Sequence, residues 1–147
     1  MRSKFILLVE DDQNDVELTL RALQHGFSGR VVVVNDGAEG LDFLFRRGKF
    51  ADREPEYPGF IILDKKMPKM DGIELLYAVK KDSVLKNIPI IMFSSSNYEK
   101  DISDSYKAGV NAYVVKPINI DEYYKAVREI GHFWGEMNEA PSTEHRP

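Results

Sequence analysis

The sequence predicts a doubly wound α/β fold, in which helices cover both faces of a five-stranded parallel sheet. Two observations carry this prediction. Five short apolar runs, rich in β-branched and aromatic residues, have the composition of parallel strands that are buried on both faces. Segments of helical length with amphipathic spacing separate these runs, and parallel strands need right-handed crossovers of this kind.

Each predicted strand is taken to begin and end with its apolar run. The first strand reads FILLV, and the third reads FIIL directly before an aspartate. We expect the five strands at residues 5–9, 31–34, 60–63, 88–93 and 112–115.

Helix signals lie between these strands. The first helix carries Val16, Leu20 and Leu23 on one face, and Asn14 and Asp15 are its expected caps. The second and third helices are expected at residues 37–48 and 72–82, and the fourth at 98–108 with Gly109 as its C-cap. The fifth runs from about residue 120 to 137.

Length and composition favour a single domain. The chain has 147 residues, of which 43% are hydrophobic, which is enough for one core. We place the domain at residues 4–138, including an extended C-terminal helix, and expect a disordered polar tail at 139–147. Residues 49–59 are charged and contain two prolines, so we expect an exposed loop there.

Charge and cysteine content limit the possible environments. A net charge of -4 gives no overall electrostatic reason to bind nucleic acid or an anionic membrane. There is no apolar run long enough to span a bilayer, and acidic residues follow the first strand too early for a signal peptide. The absence of cysteine excludes disulfides and thiolate metal sites, and we expect a cytoplasmic protein.

Polar residues follow four of the predicted strands. Because the carboxyl ends of parallel strands meet at one edge of the sheet, these residues are expected to converge there. Each has an ordinary structural explanation when taken alone, such as a turn, a helix cap or a solvated loop. Their joint arrival at one rim favours a functional site. The residues are Glu10, Asp11, Asp64, Ser94 and Lys116.

The chemistry of such a rim can be derived from its charges. Three carboxylates held close together repel one another, so they raise their pKa values or bind a cation. All-oxygen ligands favour Mg²⁺ over zinc. Lys116 and Ser94 could stabilise phosphoryl oxygens while a carboxylate attacks phosphorus.

The segments LLVEDD, ILDKKMPKMDG, PIIMFSSS and GVNAYVVKP resemble, in order and spacing, the receiver domains of two-component response regulators. The resemblance covers about residues 4–127 and implies the flavodoxin-like strand order 2-1-3-4-5. It identifies Asp64 as the phosphoacceptor. Glu10 and Asp11 would hold Mg²⁺ or Mn²⁺ together with Asp64 and the backbone carbonyl of Lys66.

The same resemblance implies further roles. Ser94 and Tyr113 match the hydroxyl and aromatic positions whose coupled movement reports phosphorylation. Lys116 matches the lysine of the family motif, and its bond to Pro117 is expected to be cis. Two departures stand out: Lys65 and Lys66 make the rim unusually basic, and Ser95 occupies a position that a small residue commonly fills.

The resemblance implies a stand-alone receiver that catalyses its own phosphorylation and dephosphorylation and is not a conventional enzyme. About thirty residues follow Lys116, too few for a DNA-reading domain, so its output would be contact with other proteins. The expected partners are a sensor histidine kinase and a phosphotransfer protein.

The last helix suggests self-association. Its apolar stripe continues about two turns beyond what covering the sheet requires, and it includes Phe133 and Trp134. These rings are expected at a homodimer interface, although they could instead fold back on their own core. GVNAYVVKP with IGHFW is also similar to the small regulators that serve bacterial phytochromes.

Two other functions are open. A hydrolase of the haloacid-dehalogenase type also uses an aspartate after a strand, but Lys66 stands where such an enzyme needs a second aspartate. A pseudo-receiver that acts only as a binding module is the other alternative, and the complete set of acids, hydroxyl and lysine argues against it.

Overall fold

The structure, a computed structural model, describes residues 5–142. Its sheet has five parallel strands in the order β2-β1-β3-β4-β5, which confirms the predicted fold and strand order. The strands are β1 (Phe5–Val9), β2 (Arg30–Val34), β3 (Phe60–Leu63), β4 (Ile90–Ser94) and β5 (Ala112–Val115).

Five α-helices alternate with the strands, as the sequence predicts. Short 3-10 turns occur at Gly48–Phe50 and Leu85–Asn87. The last α-helix ends at His132, and a π-helical segment, Phe133–Met137, continues it as far as residue 137. The helices are α1 (Gln13–Leu23), α2 (Gly37–Leu44), α3 (Gly72–Lys81), α4 (Glu99–Lys107) and α5 (Ile120–His132).

The cap of α1 differs from the prediction. Asp12 is the N-cap, and its carboxylate accepts a hydrogen bond of 3.1 Å from the backbone N–H of Asp15. Asn14 and Asp15 instead lie inside the first turn, because Asp12 already has the extended backbone that a cap requires. Gly109 has φ +104° after α4, as expected of a residue that ends a helix in a left-handed conformation.

Side chains of the central strands alternate between two apolar layers. One layer joins Leu7 and its same-face neighbours to α2 and α3, and the other joins Ile6 and Leu8 to α1 and α5. β1, β3 and β4 are buried along their whole lengths. The core therefore holds the strand ends rigidly at one edge of the sheet.

The loop at residues 49–59 is less exposed than predicted. The Arg53 guanidinium lies over the Phe43 ring, and its Nε donates a hydrogen bond of 2.8 Å to the Phe43 carbonyl. Pro58 is buried. The long apolar stem and planar head of arginine let this charged segment pack on α2.

Two further predictions concern the ends and the backbone. Of the expected tail, residues 143–147 lie outside the described part of the chain, so its disorder stays a prediction. No cis peptide occurs within residues 5–142, so the cis bond expected before Pro117 is wrong. The trans form is the lower in free energy even for proline, by about 0.5 to 1 kcal/mol.

None of the described helices is long and apolar enough to cross a membrane.

Candidate functional site

The structure brings the five predicted rim residues to the carboxyl edge of the sheet. Backbone hydrogen bonds extend the strand ladders one residue beyond their ends, from Asp64 N–H to the Val9 carbonyl at 3.1 Å and from Lys116 N–H to the Ser94 carbonyl at 2.8 Å. These bonds fix where the acidic and basic side chains begin. Glu10, Asp64, Ser94 and Lys116 are therefore placed by the sheet itself.

Glu10, Asp11 and Asp64 form an acidic cluster. One carboxylate oxygen from each lies within 4.8 Å of the others, with Glu10 buried, Asp64 half-buried and Asp11 exposed. Hard divalent cations such as Mg²⁺ and Mn²⁺ prefer oxygen ligands of this kind and keep several waters on the open side. The donor set thus fits such an ion.

Lys116 lies among these carboxylates. Its Nζ is 2.8 Å from Oε1 of Glu10 and 3.7 Å from Oδ2 of Asp64, and its side chain is only 8% exposed. A third carboxylate, that of Asp15, lies 2.7 Å away. Burial alone would lower the pKa of Lys116, but Asp64, Asp15 and Glu10 together outweigh it and raise the pKa. The lysine is therefore a fixed positive charge.

The pKa values of the two inner carboxyl groups, Glu10 and Asp64, are raised, which favours their neutral forms. Burial, and then repulsion by Asp64, raises the pKa of Glu10 to about 7. Burial also raises the pKa of Asp64, although the charge of Lys116 opposes this shift. One lysine does not neutralise the pair fully, so the site favours a proton or a further cation.

The turn after Asp64 is shaped by Lys65 and Gly72. Lys65 N–H donates a hydrogen bond of 2.8 Å to Oδ1 of Asp64, and Gly72 N–H donates one of 2.7 Å to the Lys65 carbonyl. A Cβ on Gly72 would lie 2.4 Å from the Asp64 carbonyl oxygen, so only glycine fits. Lys66 is exposed two residues after Asp64, and the role of its carbonyl stays a prediction.

Ser94 and Tyr113 are linked through a residue that the sequence analysis did not select. Ser94 is buried, and its Oγ accepts a hydrogen bond of 3.2 Å from Ser96 N–H. The Tyr113 hydroxyl donates a hydrogen bond of 2.9 Å to the Ser96 carbonyl. The loop between β4 and α4 therefore connects the two residues of the predicted switch, while Ser95 is exposed beside them.

Asp15 and Asp101 are the other partners that the sequence analysis missed. Asp15 stands one helical turn after Asp11, a spacing that could have indicated a shared side of the rim. Asp101 on α4 forms an ion pair with Lys65, with 3.5 Å between Nζ and Oδ1. No local sequence pattern points from the strand end to a residue so distant in the chain.

The two C-terminal rings lie away from the rim and differ in their surroundings. Trp134 is partly buried and packs against the core layer of α1 and α5, so this ring folds back on its own domain. Phe133 is 44% exposed and contacts Trp134 edge to face, with 5.0 Å between ring centroids. Of these two rings, Phe133 therefore offers the more open surface.

Comparisons with known proteins identify the family. The family model described as "Response regulator receiver domain" matches residues 6–128. The curated response regulator Rcp1 of Synechocystis is 34% identical over 141 residues, which cover 95% of each chain. A crystal structure of Rcp1 in its Mn²⁺-bound form has a TM-score of 0.87 at 34% identity, covering 95% of this chain and 99% of that one.

Two solved phytochrome response regulators are similar over nearly the whole chain. The phosphorylated cyanobacterial protein RcpA has a TM-score of 0.90 at 37% identity, covering 96% of this chain and 100% of its own. The bacteriophytochrome response regulator RtBRR is 47% identical with a TM-score of 0.77, covering 97% of this chain and 86% of its own. With its sheet order, its acidic rim and these matches, the chain belongs to the response regulator receiver domain family.

Proposed function

We propose that the protein is a response regulator that accepts a phosphoryl group on Asp64 from a sensor histidine kinase. The observation that carries this proposal is the position of Asp64, whose carboxylate lies beside the Lys116 ammonium and the Glu10 and Asp11 carboxylates. A strand end holds this nucleophile, which reduces the cost of aligning it with phosphorus.

The transfer balances with a phosphohistidine of the kinase as the donor and Asp64 as the acceptor. An Asp64 oxygen attacks the phosphorus of a phosphohistidine, the new O–P bond forms, and the P–N bond breaks. The imidazole, protonated on its other nitrogen, leaves as a neutral ring. Lys116 neutralises charge on the phosphoryl oxygens, and the Ser94 hydroxyl donates to one of them. Hydrolysis ends the signal: water attacks phosphorus, the O–P bond to Asp64 breaks, inorganic phosphate is released, and the Asp64 carboxylate is restored.

A divalent cation fits the acidic cluster. Glu10, Asp11 and Asp64, with the Lys66 carbonyl, would hold Mg²⁺ or Mn²⁺. Such an ion, when bound, offsets carboxylate repulsion and polarises the phosphoryl oxygens. The Mn²⁺-bound form of Rcp1 supports the choice of a divalent metal.

Phosphorylation is read through Ser94 and Tyr113. A phosphoryl group on Asp64 would draw the Ser94 hydroxyl toward it, and Ser96 links that movement to Tyr113. This shifts the balance between two arrangements of α4, β5 and α5, the surface that partners contact. The output is thus a protein contact.

The relatives narrow the partners that we propose. Because RcpA and RtBRR are phytochrome response regulators, we propose a phytochrome kinase as the donor and place the pair in the cytoplasm. A histidine phosphotransfer protein is the further acceptor that we propose for the phosphoryl group. We also propose a homodimer, in which the exposed Phe133 ring, supported by Trp134, packs against a second copy.

Intact mass spectrometry tests the function directly. The protein is incubated with acetyl phosphate and Mg²⁺, and we expect the wild type to gain the mass of one phosphoryl group. Asp64→Asn removes the nucleophile and should gain none, whereas the matched control Asp104→Asn, an acid on α4 outside the rim, should behave as the wild type does. An unchanged mass for the wild type would show a binding module without phosphoryl transfer.

A further inference from the structure

Lys65 lies between two negatively charged sites. It directly follows Asp64, and its side chain extends to α4, where its ammonium pairs with Asp101 at 3.5 Å. Both side chains are mostly buried, with 16% and 18% of their surface exposed. This pair is shielded from solvent better than an ordinary surface pair, so it is screened less by salt.

Asp101 is also bound to the loop that carries the switch residues. The Ser96 hydroxyl donates a hydrogen bond of 2.5 Å to Oδ2 of Asp101. The other groups of Ser96 contact Ser94 and Tyr113, as described above. Asp101 therefore connects the cation next to the phosphoacceptor with the loop between β4 and α4.

A phosphoryl group would change this balance of charge. It would place about two negative charges at pH 7 on the residue that precedes Lys65. The Lys65 ammonium is carried on a flexible four-carbon stem, so it can reach toward an anion on either side of its backbone. Asp101 lies on α4 and Asp64 directly follows β3, so movement of the Lys65 ammonium toward a phosphoryl group on Asp64 would lengthen its 3.5 Å contact with Asp101.

We propose that Asp101 restrains Lys65 as an autoinhibitory contact, and that the phosphoryl group on Asp64 competes with Asp101 for this lysine. The inference rests on the proposed function and adds Lys65 to it as a positioning residue. Asp101 lies on α4 and also accepts a hydrogen bond from Ser96, so the competition couples occupancy of the acceptor to α4 and to the loop before it. The coupling is reciprocal. The factor by which the Lys65–Asp101 pair weakens phosphoryl binding equals the factor by which the phosphoryl group weakens the pair.

Binding of beryllofluoride, a non-covalent phosphoryl analogue, tests the proposal. The analogue is titrated in Mg²⁺ into the wild type, Asp101→Asn, Lys65→Gln and the double variant. Asparagine keeps an acceptor for Ser96 and removes only the charge. We expect Asp101→Asn to bind about threefold to fivefold more tightly, as the loss of a partly buried ion pair permits. The same change should have no effect when residue 65 is glutamine.

Asp104→Asn is the matched control. Asp104 lies on the same helix and pairs with Lys100 at 3.0 Å, so this variant removes an equal charge without touching Lys65. Hydrogen exchange of residues 96–108 gives a second measurement, and it should quicken in Asp101→Asn before the analogue is added. Asp101→Glu should restore the wild-type affinity.

The outcomes separate the two proposals. If the wild type binds the analogue but Asp101→Asn matches Asp104→Asn, the autoinhibitory contact is wrong and the proposed function stands. An equal gain in the Lys65→Gln background also overturns it, because the effect then does not pass through the lysine. If the wild type binds no analogue at all, both proposals fail.

Discussion

The Lys116 ammonium lies 2.7 Å from Oδ2 of Asp15, which joins the end of β5 to the first turn of α1. This contact holds the lysine on the α1 side of the rim, closer to Asp15 than to Asp64 at 3.7 Å. Lys116 would have to exchange part of this contact for a phosphoryl oxygen. Asp15 thus affects both the stability of the resting site and its affinity for an anion.

Replacing Asp15 with asparagine tests its effect on the stability of the resting site. The change removes a charge-assisted hydrogen bond to a buried ammonium, so we expect the free energy of unfolding to fall by about 1 to 2 kcal/mol. Urea denaturation of metal-free protein at pH 7 measures it. Glu17→Gln, an exposed acid on the same helix, serves as the control. Equal midpoints for the two variants would show that the contact contributes nothing.

The pH dependence of stability follows from Glu10. Its pKa rises from 4.5 to about 7 on folding, so the folded chain binds this proton more tightly than the unfolded chain. The resulting stabilisation of the protonated form is present below the unfolded pKa, and it is lost as the pH rises toward 7. We expect metal-free wild type to lose about 3 kcal/mol from this group between those pH values.

Glu10→Gln isolates that contribution, because glutamine has nearly the same shape and does not titrate. The difference in unfolding free energy between variant and wild type should therefore grow in favour of the variant as the pH rises. Thermal or urea unfolding in EDTA at several pH values measures this difference. A difference that stays constant between pH 4.5 and 7 would contradict the raised pKa.

The sheet could be predicted because each strand is a short apolar run whose burial on both faces is visible in its composition. The start of β4 was predicted two residues early for a physical reason. Ile88 is buried and apolar, yet it follows a 3-10 turn, and its carbonyl accepts a hydrogen bond from Lys80 rather than from a strand. Burial alone does not distinguish a strand from the buried residues that precede it.

The rim residues could be predicted because parallel strands place their ends on one edge. Asp15 and Asp101 could not, since their roles depend on how α1 and α4 are rotated against the sheet. That rotation is set by packing between distant segments, and a single sequence does not display it. Lys65 was recognised as unusual, but its partner on α4 emerged only from the tertiary structure.

The C-terminal rings provide a paired prediction. Trp134 packs on the core, so Trp134→Ala should lower the free energy of unfolding by about 2 to 3 kcal/mol, somewhat less than a fully buried ring. Phe133 is 44% exposed, so Phe133→Ala should change monomer stability little but should weaken the proposed dimer.

Sedimentation equilibrium of both variants separates stability from association. Ile118→Ala, another exposed apolar residue, is the control for a general loss of surface hydrophobicity. An unchanged association constant for Phe133→Ala would remove this ring from the interface.

A divalent metal ion should offset the repulsion among the rim carboxylates and so raise the free energy of unfolding. A cation that binds the folded state and not the unfolded state stabilises the protein by mass action. Mg²⁺ at about 100 times its dissociation constant should therefore add about 2.7 kcal/mol to the free energy of unfolding. The gain should be larger at pH 8 than at pH 6, since a proton on Glu10, whose pKa is about 7, competes with the metal. Asp11→Asn should lose most of the gain, while Glu99→Gln, an exposed acid on α4, should keep it. Equal stabilisation of both variants, measured by urea unfolding with and without Mg²⁺, would place the ion somewhere other than the acidic cluster.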